Sequence, residues 1–166
     1  MGEVLTLDAS RERVRELKSQ GKRVAFANGH FDLLHVGHLR YLQDARAQGD
    51  ALVVALNDDE SVARLKGPGR PVVPAAERAE LLAALVPVDV VVIFEGDSPG
   101  YLLAELQPDV HCKGTDYGSP ERVPEYEVVR AYGGRTALVG DPKDHATSDL
   151  ISKVKALPAS PREKTG

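Results

Sequence analysis

The stretch from Asn28 to His38, NGHFDLLHVGH, holds three of the chain's five histidines, together with Gly29 and Gly37. Imidazole can ligate a metal, move a proton or donate a hydrogen bond to a phosphate oxygen, so the surroundings have to decide between these roles. An apolar run ends at Ala27 and a helical pattern begins near Val36, with Leu39, Leu42 and Ala45 recurring at helical spacing. His35 and His38, three apart, therefore share a face at a helix entrance. The first-turn N–H groups of a helix have no acceptor within it and carry partial positive charge. Gly37 lets a ligand come close to that backbone. Two imidazoles beside such N–H groups suit a phosphate, above all one that gains charge during a reaction. Zinc is a competing reading, with Asp32 or Asp44 as a supporting carboxylate, but it needs three or four ligands. Packed or solvated histidines without a role are the third reading. The glycine between His35 and His38 favours the phosphate, whereas His30 taken alone is evenly balanced.

Further candidates lie after other apolar runs. Asn57, in the Asn57-Asp58-Asp59 segment, could reach a nucleobase or ribose, although such residues also cap helices. Lys66, Arg70 and Arg78 sit in and after the glycine-proline loop KGPGRPVVP and could grip a triphosphate and then departing pyrophosphate. Lys113, in Lys113-Gly114-Thr115-Asp116-Tyr117, is by position a second phosphate or acceptor ligand, while Gly, Thr and Asp also suit a simple turn. Asp109 reads as a cap or loop residue. Thr147 and Ser148 stand where a last helix begins, and could cap it while holding phosphate oxygens.

The elements that must position these residues follow from the apolar pattern. Strand-length runs occur at 23–27, 51–56, 88–94, 109–112 and 136–139, nearly continuous rather than alternating. That is the pattern of strands buried on both faces. Helical stretches separate them: a leading helix over about 9–19, one that starts near Val36 and is capped by Gly49, then segments over 59–65 and 75–85. Others run from Ser98-Pro99, over 125–131 into Gly133-Gly134, and from Thr147 or Ser148 to about Leu157. Ser98 would supply a capping hydroxyl, with Pro99 at the first helical position. Strands alternating with helices imply a three-layer α/β domain around a five-stranded parallel sheet. Ligands in such sheets sit beyond the carboxyl ends of the strands, where strand order reverses.

Bulk properties fit one domain over residues 1–157 with a disordered tail at 158–166. With 42% hydrophobic and 28% charged residues the composition is that of a soluble globular chain. A net charge of −4 disfavours nucleic-acid and membrane surfaces as partners. Cys112 is the single cysteine, which excludes an internal disulfide and a cysteine-rich zinc cluster. The opening MGEVLTLDASRERV has no apolar core of a signal peptide, and no run reaches membrane-spanning length, so the cytoplasm is the expected location.

His35-Val36-Gly37-His38 matches the HxGH signature of the nucleotidyltransferase superfamily, and Gly29 to Leu34 resembles that superfamily's lead-in. More narrowly, the chain resembles the bacterial D-glycero-β-D-manno-heptose 1-phosphate adenylyltransferases. The similarity continues through ALNDDESVARLKGPGRPVVP, ERAELLAALVPVDVVVIFEGDSP, LQPDVHCKGTDY and AYGG, from about Arg11 to Val154. The resemblance implies a Rossmann-like fold, ATP with Mg²⁺ as donor, a sugar 1-phosphate as acceptor and a homodimer. It also implies catalytic roles for His35, His38 and Lys66. Nucleotide contacts would come from Asn28, Gly29, Phe31, Asp32, Gly37, Asn57, Arg70, Arg78, Thr147 and Ser148. Acceptor contacts would come from His30, Lys113, Gly114, Asp116 and Tyr117. The helix ahead of the first strand resembles the members that stand alone, without a fused sugar kinase. Two positions depart from the pattern: His30 stands where a small residue or cysteine is usual, and Ala146 where serine is. The sister activities, cytidylyl transfer to glycerol 3-phosphate or a similar polyol phosphate and adenylyl transfer to FMN, share HxGH. A nucleotide-binding regulatory domain without catalysis is the reading from another class.

Overall fold

A computed structural model describes residues 1–142 and 144–158. They form strands β1 (Glu3–Leu5), β2 (Val24–Gly29), β3 (Ala51–Asn57), β4 (Val90–Phe94), β5 (Val110–Gly114) and β6 (Arg135–Val139). The helices are α1 (Leu7–Ser19), α2 (Val36–Arg46), α3 (Asp59–Lys66), α4 (Ala75–Ala83), α5 (Gly100–Leu106), α6 (Tyr126–Ala131) and α7 (Thr147–Ala156). The strands build one sheet in the order β1-β4-β3-β2-β5-β6, every neighbouring pair parallel. The sheet therefore has six strands where the apolar runs predict five. The extra one, β1, is three residues at the edge, paired through Glu3, Val4 and Leu5 with Val90, Val91 and Val92. So short a strand is too brief for an apolar pattern to register.

The near-continuous apolar strands are buried on both sides, as their composition requires. All seven residues of β3 are buried. On one face Leu42 and Ala45 of α2 and Ala79, Leu82 and Ala83 of α4 pack against Ala25, Ala27, Leu52, Val54 and Val91. On the other, Val14 and Leu17 of α1, the leucines of α5 and Val129 of α6 cover Val24, Phe26, Val53, Ala55 and Val92. Period-two alternation along each strand thus divides its side chains between two helical layers. Leu42 and Leu82 are fully buried, and cutting either to alanine would cost about 2–5 kcal/mol.

Acidic side chains fix the amino ends of the central strands. Asp109 accepts the Val24 N–H at 2.7 Å, Asp89 that of Leu52 at 2.8 Å and Asp50 that of Arg23 at 2.8 Å. Asp109 is thus the loop residue its position suggests. Two helix starts differ from expectation. Pro99 and not Ser98 precedes α5, though the Ser98 hydroxyl still accepts from Gly100 N–H at 3.2 Å. Ala146 occupies the capping position of α7, so Thr147 and Ser148 already lie inside the helix and cap nothing. Of the expected tail, Pro158 is described and residues 159–166 lie outside the described residues.

Strand order reverses between β2 and β5, which are neighbours in the sheet although two strands intervene in sequence. Their carboxyl ends, Gly29 and Gly114, open the crevice where such folds bind ligands.

Candidate active site

A cleft of about 560 Å³ opens at this reversal point, a size suited to a small-molecule ligand. The loop from β2 to α2 reaches it through an uncommon backbone path: Phe31 and Leu33 take left-handed φ values of 46° and 52°. Such conformations cost a non-glycine residue energy and are held by their surroundings. Here the Phe31 ring is buried, 5.3 Å from the His38 ring and 6.4 Å from that of Tyr41. Gly29 makes room for it, since a Cβ there would come within 3.1 Å of the ring.

Helix α2 starts at Val36, with His35 at the capping position. The His35 and His38 rings stack with centroids 3.8 Å apart and planes at 22°. The His35 backbone N–H points at Nδ1 of His38 at 3.4 Å, so the proton of neutral His38 resides on Nε2. Gly37 is crowded: a Cβ would sit 3.0 Å from the His35 ring and 3.0 Å from Cβ of His145, and would press on both. Burial, reinforced by His35 and opposed by Asp32, pushes the His38 pKa down to about 4. Burial and then His145 lower that of His35 as well. Both rings are therefore neutral hydrogen-bond donors at neutral pH, and the positive charge must come from elsewhere.

Lys66, the last residue of α3, and Arg70 supply it, both lining the cleft. Arg70 is held by Asp32, whose carboxylate accepts from Arg70 Nε at 2.8 Å and from the Val72 and Val73 N–H groups at 2.9 and 3.0 Å. Burial would raise the Asp32 pKa, but these three donors outweigh it and hold the carboxyl below its ordinary value. Asp32 thus shapes the loop 67–74 and spends its oxygens on protein donors. Its carbonyl accepts the Thr147 hydroxyl at 2.7 Å, tying the start of α7 to the same point. Ser148 also lines the cleft.

Two expected contacts do not reach the cleft. Arg78 is 1% exposed, and its guanidinium donates to the carbonyls of Val73, His30 and Asn57 and to the Asp59 carboxylate. It lies on the inner face of α4 beside Ala79 and Leu82, and joins four chain segments beneath the site. Asn57 is 3% exposed and donates to the Gly96 carbonyl at 3.0 Å, which ties the end of β3 to the loop after β4.

The opposite wall comes from β5 and the 3₁₀ turn Thr115–Tyr117. Lys113, Gly114, Asp116 and Tyr117 line the cleft with Asn28 and His30. Lys113 Nζ lies 5.3 Å above the Tyr117 ring. A Cβ at Gly114 would come within 2.5 Å of Asp116 Oδ1, so any larger residue would have to turn that carboxylate aside. Burial first, then the charges of Lys66, Arg78, Arg70 and Lys113, press the His30 pKa down to about 4. His145 is one of several lining residues outside the expected set, with Tyr41, Thr115 and Asp141 among the others. The His145 ring centroid lies 6.3 Å from that of His35, and its Nδ1 lies 3.1 Å from Asp144 Oδ1.

A parallel sheet with a reversal-point cleft, stacked neutral imidazoles at a helix entrance and cations lining the cleft has the chemistry to hold a phosphorylated ligand. The cytidylyltransferase-like family model matches residues 26–163. The chain belongs to that family and is a nucleotidyltransferase.

The bifunctional protein HldE of Geotalea uraniireducens (strain Rf4) is 53% identical over 152 residues, which is 92% of this chain and 31% of that protein. HldE of Ectopseudomonas mendocina (strain ymp) is 45% identical over 152 residues, 92% of this chain and 32% of that protein. The chain thus spans about a third of the length of these relatives. A lipopolysaccharide core biosynthesis protein from Thermoplasma volcanium GSS1 superposes with a TM-score of 0.63 at 27% identity, covering 74% of this chain and 99% of that one.

Proposed function

We propose that the chain transfers AMP from ATP to a sugar 1-phosphate, D-glycero-β-D-manno-heptose 1-phosphate in the first instance, giving ADP-heptose and pyrophosphate. The observation that carries this reading is the His35–His38 pair, stacked at the entrance of α2 and lining the cleft. The similarity to HldE over 92% of the chain supports the heptose acceptor.

An oxygen of the acceptor phosphate attacks the α-phosphorus in line. The new P–O bond forms as the bond to the β-phosphate oxygen breaks, and pyrophosphate leaves with that electron pair. The acceptor is already anionic, so no protein nucleophile is needed and catalysis consists of positioning and charge stabilisation. His38 donates from Nε2 to an α-phosphate oxygen, with His35 beside it. Lys66 and Arg70 face the outer phosphates, together with Thr147 and Ser148. Lys113 and the 115–117 turn face the acceptor.

Mg²⁺ belongs to this proposal as the companion of the triphosphate. Among the described residues no group of three or more His, Cys, Asp or Glu could hold a metal ion. That fits an ion carried by phosphate oxygens and water. When bound it would neutralise triphosphate charge. A homodimer and a cytoplasmic setting complete the reading; no described helix is long and apolar enough to cross a membrane.

The test is pyrophosphate release measured with ATP and CTP against a panel of acceptors: heptose 1-phosphates, glycerol 3-phosphate and FMN. Turnover should require ATP and a heptose 1-phosphate. Preference for CTP with glycerol 3-phosphate, or for FMN, would move the assignment to a sister activity. ATP binding without pyrophosphate release for any acceptor would replace the enzyme with a regulatory nucleotide-binding domain.

A further inference from the structure

His111 lies in β5, directly beneath the cleft, and is completely buried. Its ring stands edge-on to Phe26 at 5.7 Å, and its Nε2 lies 3.0 Å from Oδ1 of Asn28. Its Nδ1 is buried with no hydrogen-bond partner among the described residues. Phe26 pairs with His111 and Ala27 with Cys112, so Asn28 and Lys113 follow side by side on adjacent strands. By strand alternation both point to the same side of the sheet as Phe26 and His111. Both also line the cleft.

The arrangement fixes the His111 tautomer. An amide oxygen can only accept, so a bond from Asn28 Oδ1 to Nε2 requires the proton on Nε2 and leaves Nδ1 as a bare acceptor. With the amide turned round, the proton would sit on Nδ1, a buried donor with no acceptor. An orphaned N–H is the costlier of the two.

We propose that His111 is a positioning residue: it holds Asn28 Oδ1 inward, so that Asn28 Nδ2 faces the cleft as a fixed donor beside Lys113, aimed at an oxygen of the anionic acceptor. This rests on the transferase reading above and adds a residue and an orientation to it. Asn28 presents a donor there and never an acceptor. Burial, with Lys113 adding to it, pushes the His111 pKa down to about 3, so the ring stays neutral and the amide does not turn with pH.

His111→Phe keeps an aromatic ring against Phe26 and removes the bond. It should raise the acceptor KM by about tenfold while kcat and the ATP KM change less than about threefold. His111→Gln, whose Nε2 can replace the ring donor, should recover most of the loss. A purely structural role would instead lower the melting temperature of His111→Phe without moving the acceptor KM, and would overturn the proposal. Nitrogen NMR of wild-type protein gives a readout independent of turnover: the Nε2–H tautomer should persist between about pH 5 and 8. An Nδ1–H tautomer would refute the orientation even in an active enzyme. An inactive wild type with the Nε2–H tautomer would instead sink the transferase reading and leave the amide geometry standing.

Discussion

The α2 entrance and the loop 67–74, the two stretches proposed to face the phosphates, deliver their donors in opposite ways. At the α2 entrance the donors carry no charge: His35 and His38 are neutral and both line the cleft. In the loop 67–74 the donor is restrained by the protein itself, with Arg70 pinned to Asp32 and two backbone N–H groups sharing that carboxylate. The first wall spends stability on readiness, because Phe31 and Leu33 hold left-handed backbone to form it. The second gains order from the bonds that aim it. Removing a side chain from the first wall should therefore damage chemistry more than folding. Removing one from the network under the second should do the reverse.

His38→Ala is the sharpest way to break that contrast. Losing one donor aimed at developing phosphate charge should lower kcat by about 10²–10³-fold. The thermal midpoint should move little, because the ring is a cleft-lining group whose loss leaves no buried charge. Steady-state kinetics beside a melting curve decides it. An undiminished kcat would remove the HxGH pair from the mechanism, and a collapsed fold would erase the distinction between the walls.

Arg78→Met should show the opposite signature. It strips the donor from three carbonyls and the Asp59 carboxylate, so a loss of about 3–5 kcal/mol in unfolding free energy is expected. Denaturant titration measures it. Arg78→Lys should rescue little, since an ammonium cannot reproduce the guanidinium fork. A stable Arg78→Met protein with a raised KM for the triphosphate would restore Arg78 to the cleft.

These two arginines also show where sequence reading stops. Arg70 and Arg78 are eight apart in one cationic stretch, and nothing in their types separates them. Helical phase does: Arg78 falls on the face of α4 that carries Ala79 and Leu82, which the sheet buries. The same holds for Asn57, whose polar side chain ends a wholly buried strand and is used up on the Gly96 carbonyl. Residues placed by a motif fared differently. The entrance of α2 at Val36 was legible from glycine and histidine spacing, whereas the crowding of Gly37 by the His35 and His145 side chains was not. Five of the six strands were legible too, because their apolar runs were long enough to carry a period. β1 was too short, and His111 was hidden because an apolar strand context makes a histidine look like filler. Its partner on the neighbouring strand exists only once register is known.

Asp32→Asn tests how firmly the second wall depends on its anchor. An amide oxygen can still accept from Val73 N–H, but an NH₂ in place of Oδ2 would face two donors, so Arg70 and Val72 both lose their acceptor. A rise of about tenfold in the KM for the triphosphate is expected, with a smaller change in kcat, checked by varying ATP at saturating acceptor. Equal losses in both parameters would mean that the loop acts in the transition state instead of in binding.

The smallest effect is the response to acid, and its sign follows from the neutral histidines. His30 and His38 titrate near 4 and His111 near 3 in the folded chain, against about 6.5 when unfolded. Below about pH 6.5 the unfolded chain binds protons that the folded chain refuses, so stability is complete above that pH and declines as pH falls toward 4. Asp32, lowered in the folded state, adds its own loss only at lower pH, below its unfolded value near 3.9. The melting temperature should therefore fall between about pH 6.5 and 5, before any carboxylate contributes. His35, also lowered, acts in the same direction, so His111→Phe should make that decline shallower by removing one of the four imidazoles, and His38→Ala should do so likewise. A melting temperature flat across this window would mean that the imidazoles are charged in the folded protein. The first wall would then hold phosphate as cations do, and its difference from the second would vanish.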